Sequence, residues 1–257
     1  MSIVSASRNS DIPWFYAKEF MEDYRRGFGS RPNPYNPDRP IITDFTKASL
    51  IVFWSKYPVP MIPYLDEITQ NILWQFTVND YSDTTLEPNV PSLDDRLDVF
   101  KRLAERYPVV LRTDPLVLGN GITLDNLFER VAYIATELKD YAAKHVFSFL
   151  IPYGKNNERM RGYRTFYTEE KNIFVQQLKD LNLGVTLETC AMGETWAGVR
   201  TGGCIDADTI VNAYPEMEWE IAGTKRDTGQ REHCQCLKSS SYGMPRCKAR
   251  CLYCYAT

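Results

Sequence analysis

Histidine is nearly absent, with two residues in 257. That excludes a histidine-rich metal centre and disfavours a mechanism centred on imidazole. No run of about 18 apolar residues occurs, so no transmembrane helix is expected. The N-terminal MSIVSASRNSDIPWF has neither the basic start nor the long apolar stretch of a secretory signal. There is no Gly-x-Gly-x-x-Gly turn, internal repeat or low-complexity tract. The expectation is a cytoplasmic protein with no membrane partner, in a compartment where disulfides are rare. Seven cysteines, an odd number, therefore ask for another explanation.

What is present otherwise is the composition of a globular protein: 44% hydrophobic, 25% charged and 13% aromatic residues. The net charge of −3 is unevenly spread. Residues 222–257 hold seven Lys and Arg against Asp227 and Glu232. A basic tail on an acidic body is either a solvated surface or a local attraction for something negative.

Apolar strand-like runs alternate with amphipathic helical ones. Strands are predicted at 2–7, 50–55, 73–78, 109–112, 145–152 and 184–188, with a last short one at 218–222. The LIVFWS run at 50–55 is continuous, as in a strand buried on both faces. Helices are predicted at 14–28, 61–72, 92–107, 125–144, 168–181 and 206–214. Ser92 is an N-cap candidate, with Asp94 and Asp95 in the first turn. Residues 29–47, with four prolines, read as a loop.

A repeated β-α order implies a parallel sheet with helices outside it. The two architectures left are an open doubly wound sheet and a barrel. Unit spacing and the missing glycine-rich turn favour a TIM-like (β/α) barrel, complete or incomplete, with six to eight strands. Residues 1–222 would form the barrel. Residues 223–257 would be a cysteine-rich cap on its mouth, without strand or helix pattern.

Barrel chemistry lies at the C-terminal strand ends. Those ends carry Arg8 and Asp11, then Lys56, then Arg112 and Asp114, then Glu188 and Cys190. Polar residues in apolar strands are costly unless they are paired. These side chains form either a polar pocket or a structural ion-pair network, and one network could do both.

Cys247, Cys251 and Cys254 stand in C-x3-C-x2-C spacing, and Cys234 and Cys236 precede them as C-x-C. Five cysteines thus fall within 21 residues. The readings are scattered thiols, a structural zinc site, and an iron–sulfur cluster. The cluster is favoured, because thiolates hold it and basic neighbours lower thiol pKa values and offset its charge. Cys190, Cys204, Cys234 and Cys236 remain, the complement of a second, closed cluster or of zinc.

The C-x3-C-x2-C motif, with Tyr253 just before its last cysteine, resembles that of the radical S-adenosylmethionine enzymes. The resemblance implies a [4Fe-4S] cluster whose fourth iron binds S-adenosylmethionine and takes electrons from a donor. In those enzymes the motif follows the first strand, whereas here it follows the last. The chain as a whole is similar to an uncharacterised bacterial family, a domain of unknown function, whose members end in such a cysteine cluster. The matching stretches include SASRNSDIPWFY, IVFWSKYPVPMIPYLDE, LEPNVPSLDDR, LETCA, GGCID, QREHCQC and CLYCYA.

Three functions follow as expectations. The first is a radical S-adenosylmethionine-like enzyme, with Arg8, Asp11, Lys56, Arg112, Asp114 and Glu188 binding cofactor or substrate. The second is a barrel hydrolase or lyase that uses the carboxylates, its zinc or cluster being structural. The third is a nucleic-acid-binding or redox-sensing protein that uses the basic tail with Trp54, Tyr242 and Tyr253.

Overall fold

A computed structural model describes residues 2–7, 10–31, 33, 36, 38–244 and 246–254. Eight strands build one sheet: β1 (Ser2–Ala6), β2 (Ala48–Ser55), β3 (Asn71–Thr77), β4 (Val109–Leu116), β5 (Lys144–Phe149), β6 (Leu187–Cys190), β7 (Thr201–Gly202) and β8 (Ser240–Tyr242). Every pairing in it is parallel, and the order is β8-β1-β2-β3-β4-β5-β6-β7. The strands run in chain order without the reversal of a doubly wound sheet. Among the described residues no ladder joins β7 to β8, so the sheet is not closed.

The helices are α1 (Ile12–Phe15), α2 (Ala17–Arg26), α3 (Leu93–Ala104), α4 (Leu124–Leu138), α5 (Thr168–Asp180), α6 (Ala207–Ala213) and α7 (Glu218–Ala222). Ser92 caps α3 as expected, accepting from the Asp95 N–H at 3.2 Å. Thr123 and Asn126 close a reciprocal box at the start of α4. Asp11 caps α1 by accepting from the Trp14 N–H at 3.1 Å. None of these helices is long and apolar enough to cross a membrane.

Several expectations are corrected. The helix expected at 14–28 is broken into α1 and α2 at Tyr16. The one expected at 61–72 is a 3-10 helix, Val59–Glu67, with Pro63 inside it. A proline lacks the N–H that an α-helix interior needs. Residues 29–47 are more than a loop, since Phe28–Arg31 and Ile41–Asp44 pair antiparallel. Glu218–Ala222 is a helix, not a strand. The tail expected to lack any strand supplies β8, which adds to β1 with Val4 beside Ser240 and Ala6 beside Tyr242.

Side chains alternate across a strand with period two, and the register sorts them into two faces. On one face Val4, Ile51, Phe53, Trp74, Phe76, Val109 and Leu111 pack with Phe20 of α2 and Phe100 and Leu103 of α3. On the other face Ile3, Leu50, Val52, Leu73, Val110 and Val146 form an apolar lower half, packed with Ile210, Met217 and Ile221 of α6, α7 and the turn between them. The Tyr214 hydroxyl fastens this helical pair by donating to the Ile72 carbonyl at 2.7 Å. Higher on the same face, toward the C-terminal strand ends, the residues turn polar.

His145 of β5 is buried, with Nε2 2.8 Å from the Thr113 hydroxyl. Burial pushes its pKa from 6.5 down to about 3. The folded state thus disfavours the imidazolium. The stability this gives is complete above about pH 6.5 and is lost as pH falls toward 3. Urea unfolding across that range should show a steeper acid loss in the wild-type chain than in His145→Gln. Identical pH slopes would contradict this account.

Candidate functional site

Above the apolar half of that second face lies a cavity of about 550 Å3, lined by Ser5 of β1, Trp54 of β2, Arg112 and Asp114 of β4, Arg231 and four cysteines. Cys190 ends β6, Cys204 follows β7, and Cys234 and Cys236 come from the tail. The Sγ atoms of Cys204 and Cys190 are 3.3 Å apart. The Cys204 N–H donates to Cys236 Sγ at 3.2 Å. The Cys236 thiol also interacts with those of Cys204 and Cys234. Four thiols far apart in sequence thus gather at one wall of the cavity.

Two glycines allow the approach. A Cβ on Gly202 would lie 1.9 Å from the Glu188 carboxylate, and one on Gly203 would lie 2.9 Å from the Gln235 carbonyl. Gln235 is the residue between the two tail cysteines, so Gly203 lets that backbone settle against the end of β7.

Arg112 is 3% exposed and organises the cavity wall. Its Nη1 donates to Cys204 Sγ at 2.7 Å. Its Nη2 pairs with the Asp114 carboxylate, which also accepts from the Ser148 hydroxyl. The guanidinium lies 5.1 Å from the Trp54 ring centroid. Burial works against the Asp114 anion, but Arg112 and the Ser148 hydrogen bond hold its pKa below the ordinary value. Arg231 Nη2 reaches Cys190 Sγ at 3.5 Å.

The thiols differ. The hydrogen bond from Cys236 brings Cys234 down to about 7, against burial. For Cys236 the hydrogen bond with Cys204 lowers the pKa, but the one to Cys234 and burial outweigh it and push the thiol up to about 11. Contact with Cys204, then burial, raises Cys190.

A second thiol group lies on residues 246–254, over the ends of the first three strands. The Leu252 N–H donates to the Leu86 carbonyl at 2.9 Å, and Asn156 Nδ2 to the Tyr253 carbonyl at 3.0 Å. The Tyr253 hydroxyl donates to the Glu87 carboxylate. Glu87 also accepts from Lys56 Nζ at 2.7 Å and from Asn79 Nδ2 at 2.9 Å. Burial opposes the Glu87 anion, yet Lys56 and Arg96 keep its pKa below the ordinary value.

Cys251 is buried between these groups, and burial pushes its thiol up to about 12 despite Lys56. Cys247 accepts hydrogen bonds from the Ala249 and Asp11 backbone, and burial raises it. Asp11 accepts from the Lys56 N–H at 2.7 Å, and burial raises its pKa to about 6.

The sequence-predicted residues therefore divide. Asp11 and Lys56 lie beside Cys247, Cys251, Tyr253 and Cys254. Arg112 and Asp114 lie with Cys190, Cys204, Cys234 and Cys236. Glu188 belongs to neither group. It pairs with Lys144 at 2.9 Å and Arg200 at 3.5 Å. Arg8 lies outside the described residues. Sequence reading missed Glu87, Asn79 and Arg231, whose partners are distant in the chain, and placed the buried Lys144 at a helix end. None of the seven cysteines forms a disulfide. Among the described residues no three His, Cys, Asp or Glu side chains converge as a ready-made metal cage.

Residues 3–256 match the model of a family described as a domain of unknown function (DUF1848). The chain belongs to the DUF1848 family. No curated protein matches it. The match spans both thiol groups and every strand but the first residue of β1, so the site is built on family sequence from end to end.

Arg112→Leu removes the partner of Asp114 and strands its charge. Breaking a buried pair in this way costs about 3 kcal/mol at the lower end of the usual range, taken because the Asp114 side chain is 23% exposed. Arg112→Leu combined with Asp114→Asn should recover part of that loss in chemical denaturation.

Proposed function

We propose that this chain is an iron–sulfur enzyme of the radical S-adenosylmethionine type, acting on a substrate held in the cavity of the second face. Cys247, Cys251 and Cys254 would hold three irons of a [4Fe-4S] cluster, and the fourth iron would bind S-adenosylmethionine. When bound, such a cluster supplies one electron that splits S-adenosylmethionine into methionine and a 5′-deoxyadenosyl radical, which takes a hydrogen atom from substrate. A separate electron donor supplies the reductant.

The observation that carries this reading is the donor set on residues 246–254. Three thiols sit on one short segment, seated over parallel strand ends by Leu86, Asn156 and Glu87. Their chemistry suits a cluster with one iron lacking a protein ligand. Tyr253 is the positioning residue, since its hydroxyl and carbonyl tie the turn between Cys251 and Cys254 to the sheet. Lys56 keeps a cation near the thiolates, 5.7 Å from the Tyr253 ring centroid. Asp11 holds the end of β2 through the Lys56 N–H and places its own N–H on Cys247.

The uninterrupted strand order supports a (β/α) barrel left open between β7 and β8. In that reading the described residues of the C-terminal segment, 223–244 and 246–254, lie across the barrel mouth, and the cavity beneath them shelters the radical from water. Trp54, Arg112 and Asp114 offer an aromatic face, a guanidinium and a carboxylate to a small polar substrate. A cytoplasmic setting would keep the thiols reduced.

Anaerobic purification should yield about four iron and four sulfide on the Cys247–Cys251–Cys254 set. Adding S-adenosylmethionine should change the electron paramagnetic resonance signal of the reduced protein, and 5′-deoxyadenosine should form. Cys251→Ala should lose both the signal and the product. A full cluster that releases no 5′-deoxyadenosine under reduction would refute the proposal.

A second expectation concerns the anchor. Tyr253→Phe should keep the cluster iron but loosen the turn, raising the rate of iron loss to a chelator several-fold. Glu87→Gln should do the same, because it weakens the other end of that hydrogen bond. Unchanged iron retention in both variants would remove Tyr253 from the positioning role.

A further inference from the structure

Two of the four thiols at the cavity wall stand closer together than a cubane would hold them. We infer that Cys190, Cys204, Cys234 and Cys236 hold a single tetrahedral metal ion of the zinc class, separate from the C-terminal cluster. This inference does not rest on the radical chemistry proposed above.

The spacing carries it. A tetrahedral ion with bonds near 2.3 Å keeps its sulfurs roughly 3.8 Å apart. The Cys204 and Cys190 Sγ atoms are 3.3 Å apart, the Cys204 N–H reaches Cys236 Sγ at 3.2 Å, and Cys234 neighbours Cys236. The four do not stand as a ready-made cage, so binding would draw Cys234 and Cys236 in around the ion beside Cys190 and Cys204. In a cubane each cysteine binds a different iron at a different corner, which spreads the sulfurs much farther apart.

The surroundings suit thiolates. A divalent ion with four thiolates carries a charge of −2. Arg112 donates to Cys204 Sγ, Arg231 reaches Cys190 Sγ, and the Cys204 N–H donates to Cys236 Sγ. The C-x-C backbone is already fixed. The Asp227 N–H donates to the Cys236 carbonyl at 2.8 Å, and the Leu237 N–H to the Ile205 carbonyl at 2.8 Å. On binding, each thiol gives its proton to solvent and forms a sulfur–metal bond, and no electron changes hands. The ion would join the end of β6, the segment after β7 and the tail before β8, bridging the two edges of the open sheet.

The full-length variant Cys247→Ser/Cys251→Ser/Cys254→Ser isolates this set. Titrated anaerobically with Co2+, it should bind one ion per chain, with the intense ligand-field bands of a tetrahedral tetrathiolate. Zn2+ should displace the cobalt. Adding Cys234→Ser and Cys236→Ser should abolish those bands. In the unaltered chain, anaerobic metal analysis should give about one zinc beside about four iron. Cys234→Ser/Cys236→Ser should remove the zinc and spare the iron. About eight iron with no zinc would overturn the inference in favour of a second cubane. Failure of Co2+ to bind one to one would also overturn it, as would a Cys190–Cys204 disulfide in the anaerobic chain. Loss of 5′-deoxyadenosine formation with the zinc intact would instead count against the radical reading alone.

Discussion

A guanidinium cannot shed its proton inside a protein, so a buried arginine dictates what stands around it. Arg112 is such a residue, reaching from the middle of the sheet into the wall of the cavity. It faces the Asp114 carboxylate, the Cys204 thiol and the Trp54 ring. The Ser148 hydroxyl completes the shell around Asp114. Each partner comes from a different strand or connection, and the parallel register brings them level. The cavity could not be dry and apolar with this charge in its wall. It is polar where Arg112 reaches and apolar below, where Val110 and Val146 meet α6 and α7.

The two thiol groups are not independent of that network. Asn79, two residues past β3, donates to the Asp114 carbonyl at 3.2 Å and to Glu87 at 2.9 Å. It also lies 3.3 Å from the Tyr253 hydroxyl. A continuous polar path therefore runs from Cys204 through Arg112, Asp114 and Asn79 to the tyrosine between Cys251 and Cys254. Asn79 touches both ends, which gives the cavity and the C-terminal segment a shared mechanical frame.

How much of this was legible in sequence depended on whether the signal was local. The apolar run of β2 and the cap of α3 are local patterns, and both were read correctly. Spacing sets Cys247, Cys251 and Cys254 apart, and the other four cysteines are what remains. The strand-end positions of Asp11, Lys56, Arg112 and Asp114 follow from the β-α order, which predicts where strand ends lie. β8 was not legible, because SSY carries no apolar run and becomes a strand by pairing with β1. EWEIA at 218–222 has too few residues to separate a helical period from a strand period. Glu87 sat in a polar loop whose importance comes from Lys56, Asn79 and Tyr253, all remote in the chain.

The basic tail is one source of positive charge near the thiols, and the sheet is another. All seven tail cations are exposed, where salt screens them. Of these, Arg231 extends to a thiol, Arg226 donates to the Cys234 carbonyl and Lys248 lies over the Tyr16 ring. Buried Arg112 and half-buried Lys56, which face the two thiol groups, come from β4 and from the end of β2. A charge held on a rigid sheet in a low-dielectric wall acts far more strongly than one on a solvated segment. The sheet thus supplies the fixed positive charge, Arg231 adds to it from the tail, and the tail supplies most of the sulfur. That division explains why the tail must return to the sheet as β8 between its two sets of cysteines. The strand fixes where the chain crosses the sheet edge, and so delivers Cys234 and Cys236 to one site and Cys247, Cys251 and Cys254 to the other.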